Sequence, residues 1–277
     1  VIAPAFATMA DVIEHDVRRA PLALRITDLT TGRPVPDGLT VTAWPSADPS
    51  DVRVATVTAR GIAGWHRLAG CDDYEWARAP RDEWFDSPPT RPSVEIVARV
   101  TDSLGRYLPV IRQLTAPAAH AAPVGLSRTS NAGVPAGHLS LVATVVDEVG
   151  AVALGAVVEV EVGSFRTGAV TDARGVALLA IPRAVPPSSP GTATDGPTWN
   201  AVVRVRWRPA GQVRAAGTTA DDPAELGSLL AQPLAAIVRA DSTTAASAAV
   251  SLAAARTAVA RSDPSPHPPA LVVRPTP

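Results

Sequence analysis

The 277 residues carry 25 basic side chains, all of them arginine, against 26 acidic ones, for a formal net charge of −1. That balance leaves no basic face of the kind that nucleic acid or an anionic membrane surface requires, and the absence of lysine removes Schiff-base and P-loop phosphate chemistry. Cys71 is the only cysteine, which excludes an internal disulfide and a multi-cysteine zinc site.

Hydrophobic residues make up 46% of the chain, enough for a core, but aromatics only 4%, so Val and Ala must supply the bulk. Branched Val suits a pleated sheet, and 28 Pro with 19 Gly supply turns between short strands. Residues 1–20 read as an N-terminal arm. No basic region precedes the apolar run Val1–Ala10, and Asp11, Glu14 and Asp16 follow it, so it does not read as a signal peptide. The only methionine is Met9, so translation is expected to start at a Val codon or at Met9.

Strands follow in two matched series. Leu24–Ala43 alternates, reaches Asp28, turns through Gly32 and resumes after Gly38. Leu141–Val162 does the same with Asp147, Gly150 and Gly155. Ala-Arg-Gly, a branched residue and Ala recur at Ala59–Ala63 and Ala173–Ala177, as a hairpin turn feeding a buried strand. Val94–Val110 and Ala201–Ala215 each alternate, break at Gly105 or Gly211, and restart. Three matches in one order mark an internal duplication. The fold class expected is all-β: two tandem Ig-like or prealbumin-like β-sandwich domains, at 21–116 and 139–240, with a short C-terminal helical segment. Residues 117–138, rich in Ala, Pro, Gly and Ser, read as a linker with room for a short strand inside it. In 241–277, an Ala/Pro-rich tail, the Ala-rich run 243–261 reads as helical or disordered. Asp222, Pro223 and Glu225 read as an N-cap, a first-turn proline and a capping carboxylate. Leu234–Val238 and Leu271–Val273 are expected to add edge strands.

Within the first unit, Cys71–Asp86 gathers Tyr74, Trp76, Trp84 and Phe85, four of the eleven aromatics, together with Arg78. Long insertions in compact β domains commonly carry function, and Trp, Tyr and Arg dominate interface hot spots, so these five residues are the candidate interface. The alternative is that the rings fold back and cap their own sandwich. The six carboxylates of that loop have neither the fixed separation a glycosidase pair needs nor a calcium-loop pattern. Arg204, Arg206 and Arg208 alternate with Val203, Val205 and Trp207, so they share one sheet face, where Glu159 and Glu161 are the expected partners and an anionic ligand is the alternative. The five histidines form no metal-ligand pair, and Gly125-Leu-Ser127 is no nucleophile elbow. No catalytic residue, metal ligand or cofactor site is assigned.

The Asp28–Val41 and Asp147–Val158 segments, with hairpins at Thr58–Gly61 and Thr171–Gly175, resemble the openings of carboxypeptidase regulatory-like (prealbumin-like) domains, though Ala59 stands where that pattern has Asp. The aromatic and acidic loop, the Val100–Pro109 run with its D-x-x-G-R-Y-L-P sequence, the Asp172–Gly175 hairpin and the Gln-Pro-Leu-Ala segment at Gln232 are together similar to such proteins from gene clusters of phage-tail-like contractile injection systems. That resemblance implies a cytoplasmic, non-enzymatic structural protein assembled into a particle, at the baseplate, tube end or cap. Its partners would be other subunits, with no nucleic acid, membrane insertion or small-molecule substrate. The loop and the arms 1–20 and 262–277 would dock neighbours. The alternative is a carbohydrate- or surface-binding module, its aromatic loop stacking on sugars.

Overall fold

A computed structural model describes residues 20–71, 93–185, 187–189, 196–254, 257–262 and 270–275. The first sandwich contains β1 (Leu22–Asp28), β2 (Leu39–Pro45), β3 (Arg53–Val54), β4 (Thr56–Val57), β5 (Ile62–Trp65), β6 (Val94–Asp102), β7 (Val110–Ala116) and β8 (Ala122–Leu126). One sheet has the order β4-β5-β1-β8 and the other β3-β2-β6-β7. Alternate residues of β1 (Leu22, Leu24, Ile26) face alternate residues of the second sheet (Val41, Ala43, Ala98, Val100), and all are buried in one core. This is the period-2 consequence of the pleat.

The second sandwich contains β9 (His138–Asp147), β10 (Val157–Val162), β11 (Phe165–Val170), β12 (Val176–Pro182), β13 (Thr198–Arg206), β14 (Ala236–Val238), β15 (Thr244–Ala245), β16 (Ala248–Ala253), β17 (Ala258–Ala260) and β18 (Leu271–Arg274). Its sheets are β11-β10-β13-β16 and β12-β9-β18-β14-β15, with β17 also on β9. Among the described residues one α-helix, α1 (Leu226–Leu230), lies between β13 and β14, after a 3-10 turn at Pro209–Gly211.

The duplication holds in register. Val41 opposes Val100 in the first unit and Val158 opposes Val205 in the second. Leu24 opposes Ala63, and Ala143 opposes Ala177. The opening strand of each unit runs parallel to a late one: β1 to β8, and β9 to β17 and β18. The hairpins agree in their backbone bonds. The Ile26 amide donates to the Gly61 carbonyl at 2.8 Å, as Val145 does to Gly175 at 2.8 Å. The Val176 amide bonds Asp172 Oδ1 at 3.0 Å, and the Ile62 amide bonds Thr58 Oγ1 at 3.2 Å. Thr58 therefore stands at the position of Asp172, a hydroxyl where the second hairpin has a carboxylate, and Ala59 corresponds to Ala173 instead of to the pattern's Asp.

The stretch 117–138 holds the short strand for which it has room: Ala122–Leu126 completes the first sandwich as β8. Three expectations need correction. In the Ala-rich run 243–261 the described strands replace the expected helix: β16 pairs with β13 and β17 with β9, so sheet pairing overrides the helical preference of alanine. Within the C-terminal arm, β18 is already used, since it sits between β9 and β14 with Leu271 and Val273 fully buried, and both β14 and β18 are interior where edge strands were expected. Helix α1 begins three residues later than its signals suggest: Glu225 is its N-cap, accepting the Ser228 amide at 2.8 Å, because Asp222 is engaged elsewhere.

At φ +73, a Cβ on Gly175 would lie 2.6 Å from the Val145 carbonyl oxygen, whereas one on Gly150, at φ +82, meets nothing within 4 Å. Gly150→Ala should therefore cost only the left-handed backbone penalty of about 1–2 kcal/mol. Gly175→Ala should cost clearly more, because it also breaks the hairpin's seat on β9. Urea unfolding midpoints of the two variants check the order; equal losses would show that the carbonyl contact is relieved without consequence.

Candidate functional site

Tyr74, Trp76, Arg78, Trp84 and Phe85, the expected interface, lie outside the described residues, as do residues 1–19 of the N-terminal arm. The described residues instead bring together groups that fasten the two sandwiches to each other at two places, with a cleft between.

The first fastening is a strap, residues 208–232, inserted where the second unit departs from the first. In the first unit β6 passes to its neighbour β7 through Ser103–Pro109, but in the second the equivalent neighbour of β13 is β16, and the connection first crosses to the other sandwich before β14 and β15 rejoin the second. Trp44, Val97 and Ile111, on the outer face of the β2-β6-β7 sheet, are buried against Ala215 of the strap. The Trp44 indole N–H donates to the Ala216 carbonyl at 2.8 Å. A Cβ on Gly217 would lie 2.4 Å from Pro49, which shows how closely the strap backbone approaches.

The strap is held in shape by its own polar groups. Arg214 donates to the carbonyls of Thr219 at 2.9 Å, Ala220 at 3.0 Å and Asp222 at 2.6 Å. The buried Asp222 carboxylate accepts the Thr219 amide at 2.8 Å and pairs with Arg99 of β6. Glu225, besides capping α1, accepts the Gln113 amide of β7 at 3.3 Å, so it also blocks that strand's open edge. Helix α1 then points Leu226 into the first core and Leu229 against Val157 of the second unit. A spacing of three residues on five residues of helix serves both sandwiches.

Gln232 locks the far end. Its Nε2 donates to the Gly155 and Leu229 carbonyls at 2.9 and 3.0 Å, and its Oε1 accepts the Arg208 amide at 2.8 Å and Gln212 Nε2 at 3.3 Å. At 2% exposure this amide has every donor and acceptor used, which is what burial of a polar side chain demands.

The second fastening is the segment 127–131. Arg128 donates to Asp28 Oδ2 at 2.6 Å, and the same oxygen accepts the Tyr107 hydroxyl at 3.0 Å. Arg106 and Arg128 stand 5.4 and 5.7 Å from the centre of the Tyr107 ring. Asp102 holds the turn that delivers Tyr107, accepting the Arg106 amide at 2.6 Å and the Tyr107 amide at 3.2 Å, so the D-x-x-G-R-Y-L-P sequence is a turn built to present a ring to Asp28. On the other side Ser130 donates to Asp172 Oδ2 at 2.8 Å, and Arg174 reaches Ser130. The segment is thus pinned to the opening turn of one unit and the hairpin of the other.

Burial alone would raise the Asp28 carboxyl, but the Arg128 bond and the Thr30 amide outweigh it and hold it below its ordinary value of 3.8. Burial acts the same way on Asp172, outweighed by the Val176 amide and Ser130, and it too is lowered. Burial first, and then the Asp28 charge, pushes the Tyr107 hydroxyl up to about 12, so it stays a donor at every ordinary pH.

Between the two fastenings lies a cleft of about 1160 Å³. Its floor is the outer face of β10, β11 and β13. There Arg204 bonds Glu161 at 2.9 Å and Arg206 bonds Glu159 at 2.6 Å, the pairing expected from the alternating sequence; Arg208 instead uses its backbone amide on Gln232. Among the described residues no group of three or more His, Cys, Asp or Glu is placed to hold a metal ion, and no helix is long and apolar enough to cross a membrane.

No family model matches the chain, and no curated protein matches it. Among solved structures, the Bacillus anthracis TIE protein is similar at 12% identity and a TM-score of 0.25, over 83% of this chain and 41% of that one, so the chain spans about two fifths of that protein's length. Shaft pilin spaA from Lactobacillus rhamnosus GG is similar at 16% identity over 74% of this chain and 93% of that one, with TM-scores of 0.21 and 0.20 for two of its point mutants. Likeness at this level assigns no function.

Two outcomes follow from the fastenings. Trp44→Ala should lose about 3–5 kcal/mol by urea unfolding, and should open 212–222 to proteolysis while both cores stay folded; a resistant strap would mean that Asp222 and α1 hold it unaided. Because the folded carboxyls of Asp28 and Asp172 are depressed, their contribution is present above about 3.8 and is lost as pH falls through the folded values. Asp28→Asn should therefore flatten the acid limb of the stability–pH curve, and an unchanged limb would contradict that.

Proposed function

We propose that this chain is a non-enzymatic structural subunit of a phage-tail-like contractile injection particle, sited at its baseplate, tube end or cap, where it acts through contacts with other subunits. The observation that carries the reading is the double fastening. Tandem sandwiches joined by one linker turn relative to each other, whereas two joined at 127–131 and again by the strap hold a fixed angle and spacing. A fixed spacing is what a scaffold subunit needs.

The order of motifs along the chain supports the finer placement. The aromatic and acidic loop, the Asp102–Pro109 turn, the Asp172–Gly175 hairpin and the Gln232 segment occur in the sequence that the resemblance specifies. The last three are all used here to set the relation between the sandwiches. The reading assigns no catalytic residue, cofactor or metal, and it places the chain in the cytoplasm within an assembled particle. Tyr74, Trp76, Arg78, Trp84 and Phe85 are its proposed contact residues.

Trp76→Ala combined with Trp84→Ala should leave a folded chain that fails to enter the particle, read by its absence when tagged sheath is pulled from a lysate in which the wild-type chain co-purifies. Normal incorporation of the double variant would defeat the assignment of the loop. Failure of the wild-type chain to co-purify with sheath or tube, together with binding of the isolated chain to glycans, would replace the subunit reading with that of a carbohydrate-binding module.

A further inference from the structure

The cleft between the fastenings has two properties that the scaffold role does not use. The first is an open sheet edge. β10 and β11 form a hairpin with Val162 opposite Phe165, so the amides and carbonyls of Arg166, Gly168 and Val170 point away from β10. The Val170 amide bears out this direction, since it donates outward to Ser127 Oγ at 3.3 Å. Among the described residues, no partner is present for the outward backbone groups of Arg166 and Gly168. The edge carries neither proline nor a bulge, the usual guards against strand addition. The other edges that border the cleft are guarded: β7 by Glu225, and β8 by Pro123, whose carbonyl Arg112 covers at 3.2 Å.

The second property is charge. Asp222 is neutralised by Arg99 from outside the cleft. Without it, the lining has six arginines and four carboxylates. Arg204, Arg206 and Arg174 each have a carboxylate of their own in Glu161, Glu159 and Asp172. Arg166, 77% exposed, only shares Glu161, at 3.4 Å. Arg112 and Arg214 bond carbonyls alone, and a carbonyl satisfies a donor without cancelling a charge. Three under-compensated guanidiniums, against the one remaining carboxylate of Asp221, therefore face the cleft from three sides: β7, β11 and the strap. Between Arg166 and Val170 on the floor, Gly168 leaves an empty side-chain lane beside Glu159.

We propose that this cleft is a peptide-docking site, in which an extended, acidic segment of another protein adds as a strand to the outer edge of β11. Backbone bonds to Arg166 and Gly168 fix its register, the lane over Gly168 accepts one side chain, and its carboxylates answer Arg112, Arg166 and Arg214. This is strand addition with charge selecting the partner. The proposal rests on the reading of the chain as a subunit that works by contacts, and it supplies the chemistry of one such contact.

The test uses the full chain with two blocked peptides, one alternating Glu and Val over seven residues and one alternating Arg and Val. The Glu peptide should slow exchange of the Arg166 and Gly168 amides at least tenfold, bind more weakly as salt is raised, and outcompete the Arg peptide. Gly168→Pro removes one outward donor without touching the ladder to β10 and should weaken binding at least tenfold. Arg112→Gln leaves the edge intact and should weaken only the Glu peptide, which keeps the test decisive if the proline variant unfolds. Equal binding of both peptides, or Glu-peptide binding without protection of those two amides, would overturn the proposal. So would the absence of any binding. The assay needs no particle, so its failure would leave the subunit reading to be judged by co-purification with sheath.

Discussion

The approach of the strap to the outer face of the first sandwich decides how the rest of the molecule behaves. Trp44, Val97 and Ile111 would otherwise form an apolar patch on a solvent face of the β2-β6-β7 sheet, and the strap covers them with Ala215 while giving the indole N–H a carbonyl. Exposed apolar patches of that kind mark interaction sites, and here the partner is the chain itself. Once the strap is seated, α1 is placed between the sandwiches, Glu225 closes the β7 edge, and the cleft acquires its third wall. Segment 127–131 alone would tether the units; together with the strap it orients them.

The duplication was legible in the sequence because its signals are local. A glycine at positive φ must stand at Gly61 and Gly175, whatever surrounds it, and alternation of Val with charged residues fixes which face of β10 and β13 is buried. The pairing of Arg204 and Arg206 with Glu161 and Glu159 followed from the same alternation, since period two on neighbouring strands leaves few other partners within reach. The fastening was not legible. Arg99 and Asp222 are 123 positions apart, and Trp44 and Ala216 are 172 apart, so no local pattern announces either contact. The Gln-Pro-Leu-Ala segment is visible as a motif, but only the structure explains its glutamine: four hydrogen bonds, three of them to groups 20, 24 and 77 positions away.

The misreading of 243–261 has a physical cause. Alanine has the highest helical preference of any residue, and a run of it signals helix wherever nothing else intervenes. In β16, however, Ala248 and Leu252 face the core while Ala249 and Ser251 face out, so small side chains satisfy the alternation of a strand as readily as the stripe of a helix. The unfilled place beside β13 decided between them. In the first unit the equivalent place is taken by β7, which carries Ile111 and Leu114 and reads as a strand without help.

The position of β18 has a bearing on how the protein is made. Leu271–Arg274 comes after every other strand in sequence, yet it lies inside a sheet, running parallel to β9 on one side and antiparallel to β14 on the other. Until that segment has left the ribosome, β14 and β15 have no neighbour on the β9 side and the second core lacks Leu271 and Val273. The first sandwich needs nothing beyond β8 to complete its sheets and can begin to assemble during synthesis, although Leu226 of its core and the cover over Trp44 arrive later. The second is closed by its last strand, so a nascent chain that stalls early presents one domain with complete sheets followed by an open, strand-hungry one.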